Sequence, residues 1–343
     1  MATIKAVEDG VLRWYHGPGG DVVLEDLISE IRPDAFAQRA DVTSITLPQG
    51  LKGIGHWAFQ GCTALTSIQL PESVRRIEPG AFSGCTSLTE VTLPEKILDI
   101  GGGAFDGTPW FQTLTESSGE FLILNGSLLR YRGTGGDVVI PEGVHYINTS
   151  DFSGSKKLTS IVLPDSLERL NVRTFAGCTA LVAVRMPRAL KRIGLEAFKN
   201  CTHLTHIDIP HGVQTIDQST FQGCKSLVSV TIPDTVERIY YNAFSDCTSL
   251  RAIDLPSGLK EIWDEAFKHC KSLAQVTIPP MVKELMKQTF SGCVALTDVT
   301  LPAGVKPIPK SAFKGCTDLT IHAPAGSYAE QFAQKNGIPF QAV

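Results

Sequence analysis

The chain has 343 residues, 43% of them apolar, and a formal net charge of -4. That composition supports a sizeable core, and the mild acidity gives no reason to expect nucleic acid or an anionic membrane surface as partner. No run of 18 apolar residues occurs, so no membrane-spanning helix is predicted.

Taken in chain order, Met1 to Asp9 shows no basic segment followed by an apolar one, so no export signal is read and cytoplasmic residence is the plain expectation. Gly10 to Val23 forms a starter segment, and a strict repeat follows. Phe36, Phe59, Phe82 and Phe105 are spaced by 23 residues, as are Phe152, Phe175, Phe198, Phe221, Phe244, Phe267, Phe290 and Phe313; only the step from Phe105 to Phe152 differs, at 47. Apolar residues recur at offsets 6, 9, 11, 15 and 18 from each phenylalanine, as in Leu65, Ile68, Leu70, Val74 and Ile77. Offsets 9 and 11 alternate with polar residues as a short strand does, and proline at offset 12 (Pro71, Pro94, Pro210) removes the N–H that a continuing ladder needs. The Ala-Phe stretch reads as a tight turn or a short helical turn on the opposite wall. A period of this length predicts a solenoid, each coil burying its apolar face against its neighbours. With strands about 4.8 Å apart, roughly a dozen coils would form a rod on the order of 60 Å long.

The pattern Leu-x-x-Ile-x-Leu-Pro-x-x-Leu-x-x-Ile-x-x-x-Ala-Phe-x-x-Cys resembles the BspA-like class of leucine-rich repeat, the Treponema pallidum type, over nearly the whole chain. The resemblance implies a bacterial or protist protein, a right-handed coil with a curved parallel β-sheet face, and a protein- or surface-binding role. It also pulls towards secretion or surface display, against the reading of the amino terminus. It carries over no catalytic residues.

Nine cysteines (Cys62, Cys85, Cys178, Cys201, Cys224, Cys247, Cys270, Cys293 and Cys316) all fall at offset 3. One repeated position, an odd count and parallel side-chain directions favour a column of buried free thiols over disulfides or a metal site. The column lapses at Arg39, Thr108 and Ser155, which marks edges. Between the last two, Asn125-Gly126 stands between apolar runs and predicts a β-hairpin. Gly126 to Val139 also repeats Gly10 to Val23 at a distance of 116 residues, including Gly19-Gly20-Asp21 against Gly135-Gly136-Asp137. That glycine cluster reads as a turn, since neither a lysine nor a helix follows as phosphate binding requires. The expected organisation is one elongated domain: a first repeat block over 1–114, a second over 115–319 opened by the hairpin, and a carboxyl-terminal cap over 320–343. In the cap, Ser327 to Gly337 carries a helix with Ser as N-cap and Gly at its end.

Outward strand positions are mostly Ser and Thr, and the exception lies mid-chain. Arg185, His206, Asp208 and Asp254 occupy offsets 8 and 10, with His203 and His211 nearby. Ordinary surface polarity, a partner-binding patch, or (third) a metal or catalytic site over His203 to His211 are the readings; His203 precedes the strand and His211 follows its proline, which disfavours convergence. An Arg185–Asp208 cross-strand pair would contribute a few tenths of a kcal/mol. After offset 18, early coils carry small or polar residues such as Gly194 and Asp217, whereas later ones carry Tyr240, Trp263, Met286 and Pro309, with Tyr241 adjacent. This strip is either covered by the cap or is an interface. No nucleophile finds a base, so the function expected is non-catalytic: a monomeric scaffold presenting an extended face to a protein or glycan partner, without cofactor or metal. The alternative is a structural or adhesive surface module without one dedicated ligand.

Overall fold

The computed structural model describes residues 5–95, 97–147 and 151–343. The chain divides into two compact units, one of Met1–Gly133 with Tyr146–Ser150 and one of Thr134–His145 with Asp151–Val343. Both are β-solenoids, and the same coil builds each.

Within a coil the 23-residue period brings like residues side by side. Ser67, Ile68 and Gln69 pair in parallel with Glu90, Val91 and Thr92. The second short strand does the same, Arg76 and Ile77 pairing with Asp99 and Ile100. The Ala-Phe wall is a turn with left-handed backbone on both sides of the phenylalanine. In the coil of Phe198, Glu196 has φ 55° and Asn200 φ 61°. Such backbone costs a non-glycine residue roughly 1–2 kcal/mol, and asparagine tolerates it better than most. The cost is offset by direction: the N–H groups of Glu196, Phe198 and Asn200 all point along the stack, to Gln218, Thr220 and Gln222 carbonyls at 3.1, 2.9 and 2.7 Å. The wall therefore carries its own inter-coil ladder, which leaves no buried N–H unpaired at the turn.

The first unit opens with an antiparallel hairpin, Lys5–Glu8 against Val11–Tyr15. Asp9 and Gly10, at φ 51° and 75°, make the tight connection that hairpins favour. Both hairpin strands belong to a six-stranded sheet that continues from Val11–Tyr15 through Glu30–Ile31, Gly53–Ile54, Arg76–Ile77 and Asp99–Ile100. Tyr15 takes the phenylalanine place of this starter coil: its ring stacks on Phe36 at 4.8 Å, and Phe36, Phe59, Phe82 and Phe105 follow at 4.9, 5.1 and 5.3 Å. Each buried ring contributes about 1.5–3 kcal/mol, and offset stacking adds to that. The row ends on helix α1, Pro109–Ser117, whose Trp110 meets Phe105 edge-on at 4.8 Å. Thr108, where a cysteine is missing, caps that helix by accepting from the Phe111 N–H at 3.2 Å. The predicted hairpin is present, Phe121–Leu124 against Ser127–Tyr131 around Asn125 and Gly126.

In the second unit the stack runs from Phe152 to Phe313 with ring separations of 5.3 to 5.8 Å. It ends on Phe332 of helix α2, Tyr328–Asn336, at 6.4 Å. As expected, Ser327 caps α2 and Gly337 closes it at φ 65°; Phe340–Ala342 then adds a last parallel strand beside Thr320–Ala323. The repeated starter segments behave alike. Asp21 accepts from Thr43 and Ser44 at 3.2 and 2.6 Å, and Asp137 from Thr159 and Ser160 at 2.9 and 2.6 Å.

The cysteines form the free, stacked column expected, eight buried and Cys316 half-buried. Each Sγ–H donates to the phenylalanine carbonyl of the preceding coil, as Cys201 does to Phe175 at 3.1 Å and Cys224 to Phe198 at 3.1 Å. Burial pushes the Cys178 and Cys316 thiols up to about 11 and Cys224 to about 12, so at neutral pH they are protonated and poor nucleophiles. Titrating the native protein with a thiol-exchange reagent at pH 8 is expected to consume Cys316 first and the eight buried thiols only after addition of denaturant. Rapid reaction of several thiols in the native state would contradict this packing.

Candidate functional site

The residues singled out from sequence all lie in the second unit, at separate places. Arg185 ends the strand Ala183–Arg185 and pairs with Asp165 at 3.6 Å. The expected partner was Asp208. That carboxylate is already engaged: His206 Nε2 lies 3.0 Å from it, and the Thr231 hydroxyl, foremost, together with His206 holds it below the usual carboxylate range. Asp165, on the turn of the coil before, is what Arg185 reaches instead. Both ends of this pair are half-exposed, so it contributes little.

His206 joins two coils, with Nδ1 2.9 Å from the Ser229 hydroxyl and Nε2 on Asp208. His203 Nδ1 faces the Thr179 carbonyl at 2.5 Å, and His211 pairs with Asp234 at 3.3 Å. The three imidazoles thus serve three different partners. Among the described residues, no three His, Cys, Asp or Glu side chains gather as a metal ion would require. Two further histidines bridge coils to aspartates in the same manner, His269 to Asp246 at 3.0 Å and His322 to Asp298 at 2.7 Å.

Asp254 stands apart from Arg185 and His206. It lines a hollow of about 420 Å³ with Ser257, Gln275, Thr277, Asp298 and Thr300. The reason is local: among the described residues, Ala252 to Asp254 make no strand pairing, whereas Ser229–Thr231 before and Gln275–Thr277 after both do. The sheet face opens at this coil.

The aromatic strip is a real cluster. Tyr240 and Trp263 lie 5.4 Å apart, and Tyr241 meets Trp263 edge-on at 4.8 Å. The indole N–H donates to Glu261 at 2.9 Å, which fixes the Trp263 ring. Tyr240 and Trp263 are half-exposed and Tyr241 is 37% exposed. Helix α2 buries Ala329, Phe332 and Ala333 at the far coil of Phe313, so these rings keep an open side.

A groove of about 580 Å³ runs beside the two tyrosines, lined by Arg192, Leu195, Gln214, Asp217 and Gln218 among others. Its origin is a step in one column. Gly194 and Asp217 precede Tyr240 at the same repeat position, so the wall rises abruptly where the tyrosine begins. At Gly194 a Cβ would lie 2.6 Å from the Asn171 carbonyl carbon, which keeps that coil low. Asp217 accepts from the Thr215 hydroxyl at 3.1 Å. Burial nevertheless pushes its carboxyl above the ordinary range, against the pull of that bond and of Arg192. Sequence reasoning noted the step and missed the groove, because Gln214, Gln218 and Arg192 look like any exposed polar residue until the coils are stacked.

Six copies of the BspA type leucine-rich repeat region match residues 19–122, 135–251 and 239–325. The chain therefore belongs to the BspA-type leucine-rich repeat family. Among solved structures, a leucine-rich repeat protein from Bacteroides ovatus is 26% identical, the alignment covering 97% of this chain and 94% of that one with a TM-score of 0.47. A leucine rich cell surface protein from Faecalibacterium prausnitzii is 24% identical over 97% and 98%, with a TM-score of 0.41. The leucine-rich repeat protein of T. pallidum is 30% identical over 63% and 89%, with a TM-score of 0.46. No curated protein matches the chain. Among the described residues, no helix is long and apolar enough to cross a membrane.

The raised Asp217 carboxyl has a definite consequence for stability. A group whose folded-state pKa lies above its unfolded value of about 3.9 weakens folding as pH rises through that interval. Asp217→Asn removes the ionisation and is expected to melt above the wild type at pH 7. The gap should close as pH is lowered below about 4, where wild-type Asp217 is protonated in both states. Thermal melts of the two proteins across pH 3 to 7 check both the sign and the window.

Proposed function

We propose that this member of the BspA-type leucine-rich repeat family is a non-catalytic binding scaffold whose second unit holds a protein or glycan partner. The supporting observation is the cluster of Tyr240, Tyr241 and Trp263, three rings in mutual contact with an open side. Half-exposed aromatic clusters of this kind are typical binding anchors. Around them the coil is rigid: backbone bonds run from coil to coil on the turn wall, and the indole is held by Glu261. A surface ordered before contact loses little entropy on association, so modest contacts can add up to useful affinity.

Arg185, His206, Asp208 and Asp254 form a second, polar stretch on the strand face. Their side chains are spread over separate partners, which suits a broad, weakly contacting rim better than a single pocket. Tyr240 and Trp263 are the anchor in this reading, and the polar stretch adjusts orientation.

A partner trapped from the native host by cross-linking gives the test. Trp263→Ala is expected to weaken its binding by roughly tenfold or more, and Arg185→Ala by less, with melting temperatures close to wild type in both. Unchanged affinity in both variants would remove these residues from the binding surface.

A further inference from the structure

We infer that the groove beside Tyr240 and Tyr241 binds a short, neutral oligosaccharide through its pyranose rings. The inference rests on the scaffold reading above and names the chemistry of one ligand class. Three features of the groove carry it.

First, one wall is aromatic and is stiffened from behind. Trp263 packs against both tyrosines and is itself tied to Glu261, so the Tyr240 and Tyr241 rings stand as a fixed platform. The face of such a ring is weakly negative, and the axial C–H groups on one face of a pyranose are weakly positive. Sugars stack there without needing a fully apolar pocket.

Second, the opposite side offers hydrogen bonds of both senses. Gln214 and Gln218 each present a donor and an acceptor, Asp217 accepts, and Arg192 donates through a planar fork;. Vicinal hydroxyls demand that alternation, because each both donates and accepts. An apolar peptide side chain could pack on the tyrosines and Leu195, but it would leave Gln214, Gln218, Asp217 and Arg192 without partners, which is costly.

Third, charge and size agree with a neutral ligand. The groove's cations are Lys191 and Arg192. Lys191 is paired with Glu168 at 2.9 Å, and the Asp217 carboxylate shares the groove lining with Arg192. The balance is near zero, unlike the one-sign lining that captures sulfated or carboxylated chains. The lining residues span three successive coils, about 10 Å at a rise near 4.8 Å per coil, the length of a disaccharide.

The probes are maltotriose, cellotriose, chitotriose and mannotriose, with a heparin-derived tetrasaccharide as the anionic comparison. Binding is followed by calorimetry and by the change in tryptophan emission, since Trp263 backs the platform. At least one neutral trisaccharide is expected to bind, with the anionic one weaker. Tyr240→Ala should weaken that binding by about tenfold or more, Tyr240→Phe should retain most of it, and Asp217→Ala should weaken it. Lys335→Ala, exposed on helix α2 away from the groove, should leave it unchanged. Thermal melts of each variant separate lost binding from lost folding. No binding of any neutral trisaccharide, preference for the anionic probe, or indifference to both Tyr240→Ala and Asp217→Ala overturns the proposal. A chain that binds no sugar yet loses a protein partner on Trp263→Ala defeats this inference and leaves the scaffold reading standing.

Discussion

Wherever the next coil carries a cysteine, the core phenylalanine carbonyl accepts two hydrogen bonds, and the rest of the structure follows from where they come from. The Phe175 carbonyl, for example, takes the Cys178 N–H of its own coil and the Cys201 Sγ–H of the next, both at 3.1 Å. The first bond shapes the turn; the second sets the distance and rotation to the neighbouring coil. A thiol is a weak donor, but the bond recurs in every coil preceding a cysteine, so a drift in the period would forfeit it many times over. Given that register, rings fall upon rings, strands pair with their own copies 23 residues on, and the surface becomes a set of parallel columns. Where the cysteine is absent, something else serves the turn. Arg39 donates to the Tyr15 carbonyl at 3.1 Å, and Thr108 donates to Phe105 at 2.8 Å while starting helix α1.

Columns are also what make a recognition surface cheap to alter. A change at one repeat position affects a stripe of surface and leaves the core as it was. The step from Gly194 and Asp217 to Tyr240 creates a groove wall without disturbing Phe198, Phe221 or Phe244, all fully buried. The strand face opens at Ala252 to Asp254 while Ile253 stays buried. Framework and surface draw on different offsets of the same repeat, so one architecture can carry many different surfaces.

Much of the fold was legible because the period is a long-range contact map in itself. Phe82 and Phe105 had to stack once their coils did, and Asn125-Gly126 and Ser327 to Gly337 carried strong local signals that the structure realises. The hairpin at Asp9-Gly10 carries the same local signal as Asn125-Gly126. Helix α1 was hidden because Phe111 fits the repeat's offset 6, masking the Thr-Pro start that marks a helix. The left-handed residues flanking phenylalanines such as Phe175 and Phe198 carry no sequence signal, since Glu196 and Arg173 have no intrinsic reason to adopt that backbone. At the candidate site, the aromatic cluster was readable as a column. The true partner of Arg185 was not, because Asp165 and Asp208 are both within one coil of it and only side-chain competition decides between them.

The sulfur column has one more implication, concerning the surroundings in which the fold can exist. Because every thiol donates to a carbonyl and none is covalently bridged to another sulfur, no part of the stack waits on an oxidant to assemble, and none is undone by a reductant. Most small extracellular modules depend on bridges and fail where glutathione is abundant. The folded architecture therefore holds no bridge whose reduction would undo it.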